Sequence, residues 1–390
     1  MRFLGTSITA IEWYDNAICM ALTDTISSVF FPDYSASARF MLFFMSIAIG
    51  YLGRPLGAFI LGHYSDKYSR VKSAYFGFAI MVFASLAISF LPTYYQVGII
   101  APIMFVILRF LQGMAIGGNY GVSVCAVEAA HKSERYMTSS MISVGITLGF
   151  LFGSLVASIL TYFFDANFLM NFGWRIGLWS SALLSFPIFL EFRKIDMSQV
   201  KKSKQCQMTN DKLDWMQVAK VFILFLLDMV PFYLLFVFLP NYKIMFLGCD
   251  SSAIWFYNSV AMVVIVLCTP FFGKMADAYG ALPILKTCAL GLVVCAWFGP
   301  WQSNVWSIIF GVLMGMCYSC LYGYVALAFP ESMRARASGV LFNITGSLSV
   351  GITPMVSSYL AGFSFYYVSA FLAGICAVIF VVLLTLREQA

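Results

Sequence analysis

The sequence predicts an all-α polytopic membrane protein of about twelve transmembrane helices in two six-helix bundles. Three observations carry this expectation. Long, nearly uncharged apolar stretches recur from end to end, in a composition that is 61% hydrophobic and 10% charged. A stretch such as 142–163 is long enough to cross a hydrocarbon core of roughly 30 Å at about 1.5 Å per helical residue. Each stretch is also apolar on every face, whereas barrel strands run to about ten residues of alternating polarity.

Taken in order, the predicted spans are 5–31, 40–62, 73–91, 96–121, 137–163, 174–192, 217–241, 253–273, 284–300, 304–327, 338–361 and 364–386. The first begins just after Arg2, but Glu12 and Asp15 interrupt its apolar run, so it reads as a retained helix rather than a cleaved leader. Along helix 5, Gly145, Gly149 and Gly153 recur every four residues, a spacing that lets a helix pack closely on a neighbour. After the sixth span comes the one long hydrophilic loop. It divides the chain into an N-terminal bundle (1–192), a linker (193–216) and a C-terminal bundle (217–390). No soluble catalytic domain fits in what remains.

The basic residues favour one side. Arg2, Lys67, Arg70, Lys72, Lys132, Arg135, the linker cluster from Arg193 to Lys220, Lys274, Lys286, Arg334, Arg336 and Arg387 all fall there; Arg39, Arg175 and Lys243 fall on the other. Because basic loops resist translocation, the first side is expected to be cytoplasmic, with both termini on it. The net charge of +6 then reflects topology, not nucleic-acid binding. The ten cysteines sit mostly inside spans, where no framework of bridges is expected. Cys317 and Cys320 form a C-x-x-C without a histidine or second pair nearby, which reads as packing, and no metal site is expected.

The halves share landmarks. Gly62, Asp66, Lys67 and Arg70 follow the second span, and Gly273, Asp277 and Gly280 follow the eighth; Glu128 with Lys132 and Arg135 follows the fourth, and Glu331 with Arg334 and Arg336 the tenth. Two motifs repeating at an offset of roughly 200 residues argue for two related halves. Charges inside the bilayer cost roughly 2.5–3.5 kcal/mol each on insertion scales, so those retained there are candidates for function. They are Glu12, Asp15, Arg54, Arg109 and Asp228. Glu12 and Asp15 lie three apart on one helix face, where two carboxylates are able to share a proton. Arg109 needs a carboxylate partner, for which Asp15 is the candidate. Asp228 interrupts an apolar run three residues before Pro231 and reads as a second proton or cation site, or as a group facing a wet cavity. Candidate substrate contacts are Tyr14, Arg54, Asn119, Tyr318, Tyr322 and Asn343. Arginine suits a carboxylate, aromatic faces suit a quaternary ammonium, and an amide is costly to bury unpaired.

The segment Gly62-His-Tyr-Ser-Asp66-Lys67-Tyr-Ser-Arg70-Val-Lys72 resembles the loop signature of the major facilitator superfamily, and Arg109-Phe-Leu-Gln112-Gly113 resembles its fourth-helix signature. More narrowly the chain resembles the metabolite:proton symporters, the group of proline/betaine, 2-oxoglutarate, citrate and shikimate carriers. The narrower likeness rests on Glu12-Trp13-Tyr14-Asp15, Arg54-Pro55-Leu-Gly57, Gly117-Gly118-Asn119-Tyr120-Gly121, Gly173-Trp174-Arg175-Ile176, Phe342-Asn343-Ile344 and Thr353-Pro354. Three positions depart from the pattern: Asn119 stands where the group carries glutamate, Ser69 where the loop signature has glycine, and Ala281 where its second copy has a basic residue.

The resemblance implies a secondary transporter of a bacterial inner membrane, taking up a small polar metabolite, organic acid or zwitterion, by alternating access. It implies proton coupling through Asp15, Glu12, Arg109 and Asp228, and conformational gating by Gly62, Asp66, Arg70, Asp277, Glu128, Arg135, Glu331 and Arg334. Asp66 is expected to meet a helix N-terminus of the other half. The proton gradient is the energy source, with no cofactor; the partners are the metabolite, protons and the lipid bilayer, with no nucleic acid and no required protein. Two other functions fit the same scaffold, an exporter of drugs or siderophore-like compounds and a transport-silent sensor. The Gly-Pro step typical of the family's drug antiporters is missing from helix 5. An enzyme is disfavoured because His63 and His131, both in loops, have no nucleophile or metal set beside them.

Overall fold

The computed structural model describes residues 2–67, 70–117, 127, 130–194, 214–298, 303, 306–330 and 334–386. The first half contains α1 (Arg2–Ala21), α2 (Thr23–Phe30), α3 (Ala36–Lys67), α4 (Arg70–Ser89), α5 (Ile100–Ile116), α6 (Arg135–Phe163) and α7 (Trp174–Lys194). The second contains α8 (Trp215–Phe232), α9 (Leu239–Leu247), α10 (Ser251–Tyr279), α11 (Ala281–Phe298), α12 (Trp306–Leu327), α13 (Arg334–Ala361) and α14 (Phe365–Leu384). Among the described residues eight helices are long and apolar enough to cross a membrane. The linker expected at 193–216 falls almost wholly outside the described residues.

Several boundaries differ from the sequence reading for local reasons. The first span divides into α1 and α2 at Leu22, where φ is −92° and ψ 25°, and the Thr23 hydroxyl donates to the Met20 carbonyl at 2.5 Å. The seventh span is one continuous rod, α8 joined to α9 through a π-helical stretch, Tyr233–Phe238, that begins just after Pro231. A proline has no N–H to give the preceding turn, so the backbone regains its bonding through the wider π pattern. α3 continues to Lys67 and α10 to Tyr279, so Gly62, Asp66 and Asp277 sit on helices rather than in loops. α10 ends where Gly280 takes φ +90°. It begins at Asp250, whose side chain accepts from the Ala253 N–H at 2.8 Å, and that bond holds the Asp250 carboxyl below the usual range.

The closest packing in the first half is between α3 and α5. A Cβ on Gly113 would run into the carbonyl oxygen of Gly50, one on Gly57 into that of Met114, and one on Gly117 into that of Arg54. Small residues on both helices bring the backbones together, as membrane helices require where no hydrophobic force separates them from lipid. The stripe on α6 acts as its spacing predicts: Gly149 abuts α1 at Ala10 and Trp13, and Gly153 abuts it at Ala17.

The two halves meet along α6 with α10 and α3 with α13, and they touch at both ends and in the middle. At the end bearing the termini, the Asp277 carboxylate accepts the backbone N–H groups of Tyr136 and Met137, each at 2.9 Å, and so caps α6 from across the interface. At the opposite end the Ser158 hydroxyl donates to the Ser252 carbonyl at 3.0 Å and Asn241 donates to the Met20 carbonyl at 3.1 Å. Between them lie Asn258 to Ser154 at 3.1 Å, Ser347 to the Tyr51 carbonyl at 2.8 Å and the Tyr51–Tyr233 hydroxyl pair at 3.3 Å. Among the described residues the two halves are therefore in contact at both ends.

That contact gives a direct expectation for Asp277. Removing a helix cap costs about 1–2 kcal/mol, which is a factor of roughly 5–30 in a two-state equilibrium. In a background depleted of native cysteines, Asp277→Ala should raise the labelling rate of Ser139→Cys, buried beside Gly323 of the other half, by roughly that factor.

Candidate functional site

Where the halves meet at mid-depth, the buried charges of the first half gather around two small cavities. The inner one, about 10 Å³, is lined by Asp15 and Asn16 of α1, Ile47, Gly50, Tyr51 and Arg54 of α3, and Arg109, Gln112, Gly113 and Ile116 of α5. The second, about 40 Å³, lies between the halves. Thr9, Glu12, Trp13, Arg54, Ile116, Ile142 and Ile146 face Tyr322, Phe342 and Asn343 there. These volumes have room for only one or two water-sized groups, so a metabolite needs a wider state of the same walls.

Asp15 is the centre of the polar network. Its Oδ2 accepts from Gln112 Nε2 at 2.9 Å and lies 3.9 Å from Arg109 Nη1, a loose ion pair in which both side chains are buried. Gln112 Nε2 also donates to the Ser85 hydroxyl at 2.7 Å, tying the network to α4. Asp15 Oδ1, Gln112 Oε1, and Arg109 Nε and Nη2 are buried without a hydrogen-bond partner. Arg109 lies over the Phe105 ring at 5.3 Å. A guanidinium this buried with unused donors is prepared for an oxygen ligand. The close approach of α3 and α5 at glycine brings this group against the wall that carries Arg54.

Among the described residues Arg54 makes no ion pair. Its guanidinium lies over the Tyr51 ring at 3.7 Å and the Trp13 ring at 5.6 Å, and its Nε has no hydrogen-bond partner. It lines both cavities, as does Ile116, and is the charged side chain that they share. In the second half Asp228 is buried and accepts the Tyr322 hydroxyl at 2.5 Å. Asn343, expected to be costly if unpaired, donates to the Gly339 carbonyl at 2.9 Å and the Gly117 carbonyl of the other half at 3.4 Å.

Some expectations need correction. Glu12 and Asp15, expected on one face, line different cavities: Asp15 turns to the inner cavity and Gln112, while Glu12 lines the second. Three residues along a helix advance about 300°, which leaves room for two side chains to diverge. Tyr14 lines neither cavity; its hydroxyl bonds Ser180 of α7, so it packs within the first half. Tyr318 is buried behind Tyr322 rather than on a cavity wall. A cross-half helix cap of the kind expected of Asp66 is made by Asp277. Asn119, Glu128 and Glu331 lie outside the described residues, as do the side chains of Asp66, Arg70 and Arg334. Arg135, at the start of α6, has a buried Nε without a hydrogen-bond partner.

Sequence reasoning missed Tyr51, Ser85, the inter-half amides Asn241 and Asn258, and the α3–α5 glycine seam. Only the seam left a readable signal, Gly50, Gly53 and Gly57 together with Gly113 and Gly117 at helical spacing. Among the described residues no group of three or more His, Cys, Asp or Glu is placed to hold a metal ion.

Comparison with known proteins agrees with this arrangement. The family model described as Major Facilitator Superfamily matches residues 16–346 and 221–390. A putative proline/betaine transporter of Staphylococcus aureus (strain COL) is 28% identical over 371 residues, covering 90% of this chain and 79% of the relative. The proline/betaine transporter of Escherichia coli (strain K12) is 27% identical over 383 residues, covering 90% and 75%. Among solved structures, a partially occluded, inward-open xylose transporter of E. coli superposes with a TM-score of 0.77 at 16% identity, over 99% of this chain and 97% of that one. A human organic anion transporter gives 0.69 at 12% identity, over 98% of each chain. At such identities the structural likeness speaks for the fold.

Proposed function

On the premise that this chain belongs to the Major Facilitator Superfamily, we propose that it carries a small carboxylate-bearing metabolite into the cell together with protons. That it is a secondary transporter of small metabolites, in a family that is not a class of enzymes, follows from its relatives. The finer reading places it in a bacterial inner membrane with both termini cytoplasmic, as the basic loops favour. No cofactor or protein partner enters it.

The observation that carries the reading is the Asp15–Arg109–Gln112 network beside an inner cavity that Arg54 also lines. Proton and substrate act on the same guanidinium. While Asp15 is ionised it occupies Arg109; when Asp15 takes a proton, Arg109 is released to an incoming carboxylate, and Gln112 keeps the acid in place. A bound carboxylate held by Arg109 and Arg54 in turn keeps the proton on Asp15. Each ligand thereby favours the other, which is the requirement for symport. Swinging an equilibrium between outward- and inward-facing forms from 1:99 to 99:1 needs about 5.5 kcal/mol of differential binding, a quantity proton and substrate share.

The relatives are named as proline/betaine transporters, so a zwitterionic amino acid or betaine heads the candidates, ahead of 2-oxoglutarate, citrate and shikimate. Expression in a bacterial host lacking such carriers, with labelled solutes and with or without a protonophore, tests the reading. Uncoupler-sensitive accumulation of one of them is the expected result. Absence of uptake of all five, with the protein shown to be in the membrane, would overturn it.

A further inference from the structure

The second half contains an acid that coupling through Asp15 leaves unused. Asp228, 2% exposed in the middle of α8, has no Lys, Arg or His within ion-pair distance among the described residues. Its Oδ2 accepts the Tyr322 hydroxyl, and Tyr318 is a second phenol acting on it. Tyr322 is also part of the wall of the second cavity, where it stands 5.9 Å from the Phe342 ring; Phe225 backs that ring at 5.7 Å. Across the cavity stand Arg54, Trp13 and Glu12, the last engaged in an interaction of its own.

One wall of the cavity thus presents a guanidinium, and the facing wall presents aromatic faces with a carboxylate directly behind them. An ionised carboxylate so deep without a counter-charge is the expensive arrangement, and a phenol offsets only part of its cost. Aromatic faces attract cations, most strongly where water is excluded. A ligand with opposite charges at its two ends would therefore place its carboxylate on Arg54 and its cationic end against Tyr322 and Phe342.

We propose that Asp228, acting through Tyr322, is the counter-charge for the positive end of a zwitterionic substrate that bridges the two halves. This rests on the reading of the chain as a carboxylate transporter and adds the second end of its ligand. Bridging gives the ligand a grip on both bundles, so a zwitterion favours closure in a way a simple anion does not. Asp228 is a specificity residue for the substrate's charge, separate from the coupling pair.

The test compares trimethylglycine with 3,3-dimethylbutanoate, which has the same shape and carboxylate but an uncharged tert-butyl end. Binding of each to the purified full-length protein is measured by calorimetry. The wild type is expected to bind trimethylglycine at least ~10-fold more tightly than the isostere, the scale of a desolvated cation–aromatic contact. Asp228→Asn should erase that preference; Asp228→Glu should retain part of it, and Tyr322→Phe should weaken it.

Equal affinity of the wild type for the two probes, binding of neither, or an Asp228→Asn protein that keeps the preference would each overturn the proposal. Melting curves check that the variants fold, and Tyr322→Phe carries the comparison if Asp228→Asn does not. Accumulation in liposomes is scored separately. Preference without accumulation strikes the uptake reading alone, whereas accumulation of an anion without preference strikes this proposal alone.

Discussion

Asp15→Asn is expected to abolish gradient-driven accumulation, bringing the inside-to-outside ratio to about one, while exchange of internal for external substrate continues. The substitution preserves shape, and the new amide can still accept from Gln112, whose donor lies 2.9 Å from the present oxygen. It removes the charge that holds Arg109 in the empty carrier and the proton that must travel with the substrate. Arg109 is then permanently available, so substrate binding survives, but its release is no longer linked to a proton. Losing one member of a buried ion pair costs roughly 3–5 kcal/mol in an ordinary interior. Here the loose 3.9 Å contact and the surrounding cavity place the expected cost at the lower end. Counterflow and pH-driven uptake, measured on the same liposomes, separate the two activities; full accumulation by the variant would remove Asp15 from the coupling role.

The second large effect is structural. Gly113→Leu should prevent formation of the native N-terminal bundle, because even a Cβ at that position collides with the carbonyl oxygen of Gly50. Overpacking an ordinary core costs about 1–3 kcal/mol because side chains shift. Backbone against backbone has no such relief, so α3 and α5 must separate, and the Asp15–Arg109–Gln112 network lies on the seam they share. The expected readout is loss of the monodisperse peak in detergent and of membrane-inserted protein. Gly374→Leu, on α14 with nothing within 4 Å of its Cβ direction, should express as the wild type does and serves as the control. A folded Gly113→Leu protein would show that the close approach of α3 and α5 is not required.

The helices were legible in the sequence because bilayer thickness fixes their length and apolarity their position. Asp277 was legible as the second copy of a motif, and the kind of contact expected of Asp66, a carboxylate on a helix N-terminus of the other half, is the one Asp277 makes. Side-chain facing was much less legible. Trp13 and Tyr14 are adjacent and equally aromatic, yet Trp13 reaches the second cavity and Tyr14 turns to Ser180, because neighbours on a helix point about 100° apart. Periodicity cannot set that phase when every face is apolar. The pairing of Asp15 with Arg109 was accessible from cost alone, since a buried guanidinium needs an acid. Gln112 and Ser85 were not, because neutral polar side chains carry no comparable penalty and many are spread along the spans. Likewise Pro231 marked a weak point in the seventh helix, but its resolution as a π-helical stretch depends on what packs around it.

The central claim is that substrate and proton enter together through one network. Its most direct measurement uses the purified protein alone in sealed liposomes, with labelled trimethylglycine or proline outside and an imposed pH gradient, acid outside. Transient accumulation above equilibrium that collapses on adding a protonophore is the expected result. Substrate that merely equilibrates at the same rate with and without the gradient would contradict it.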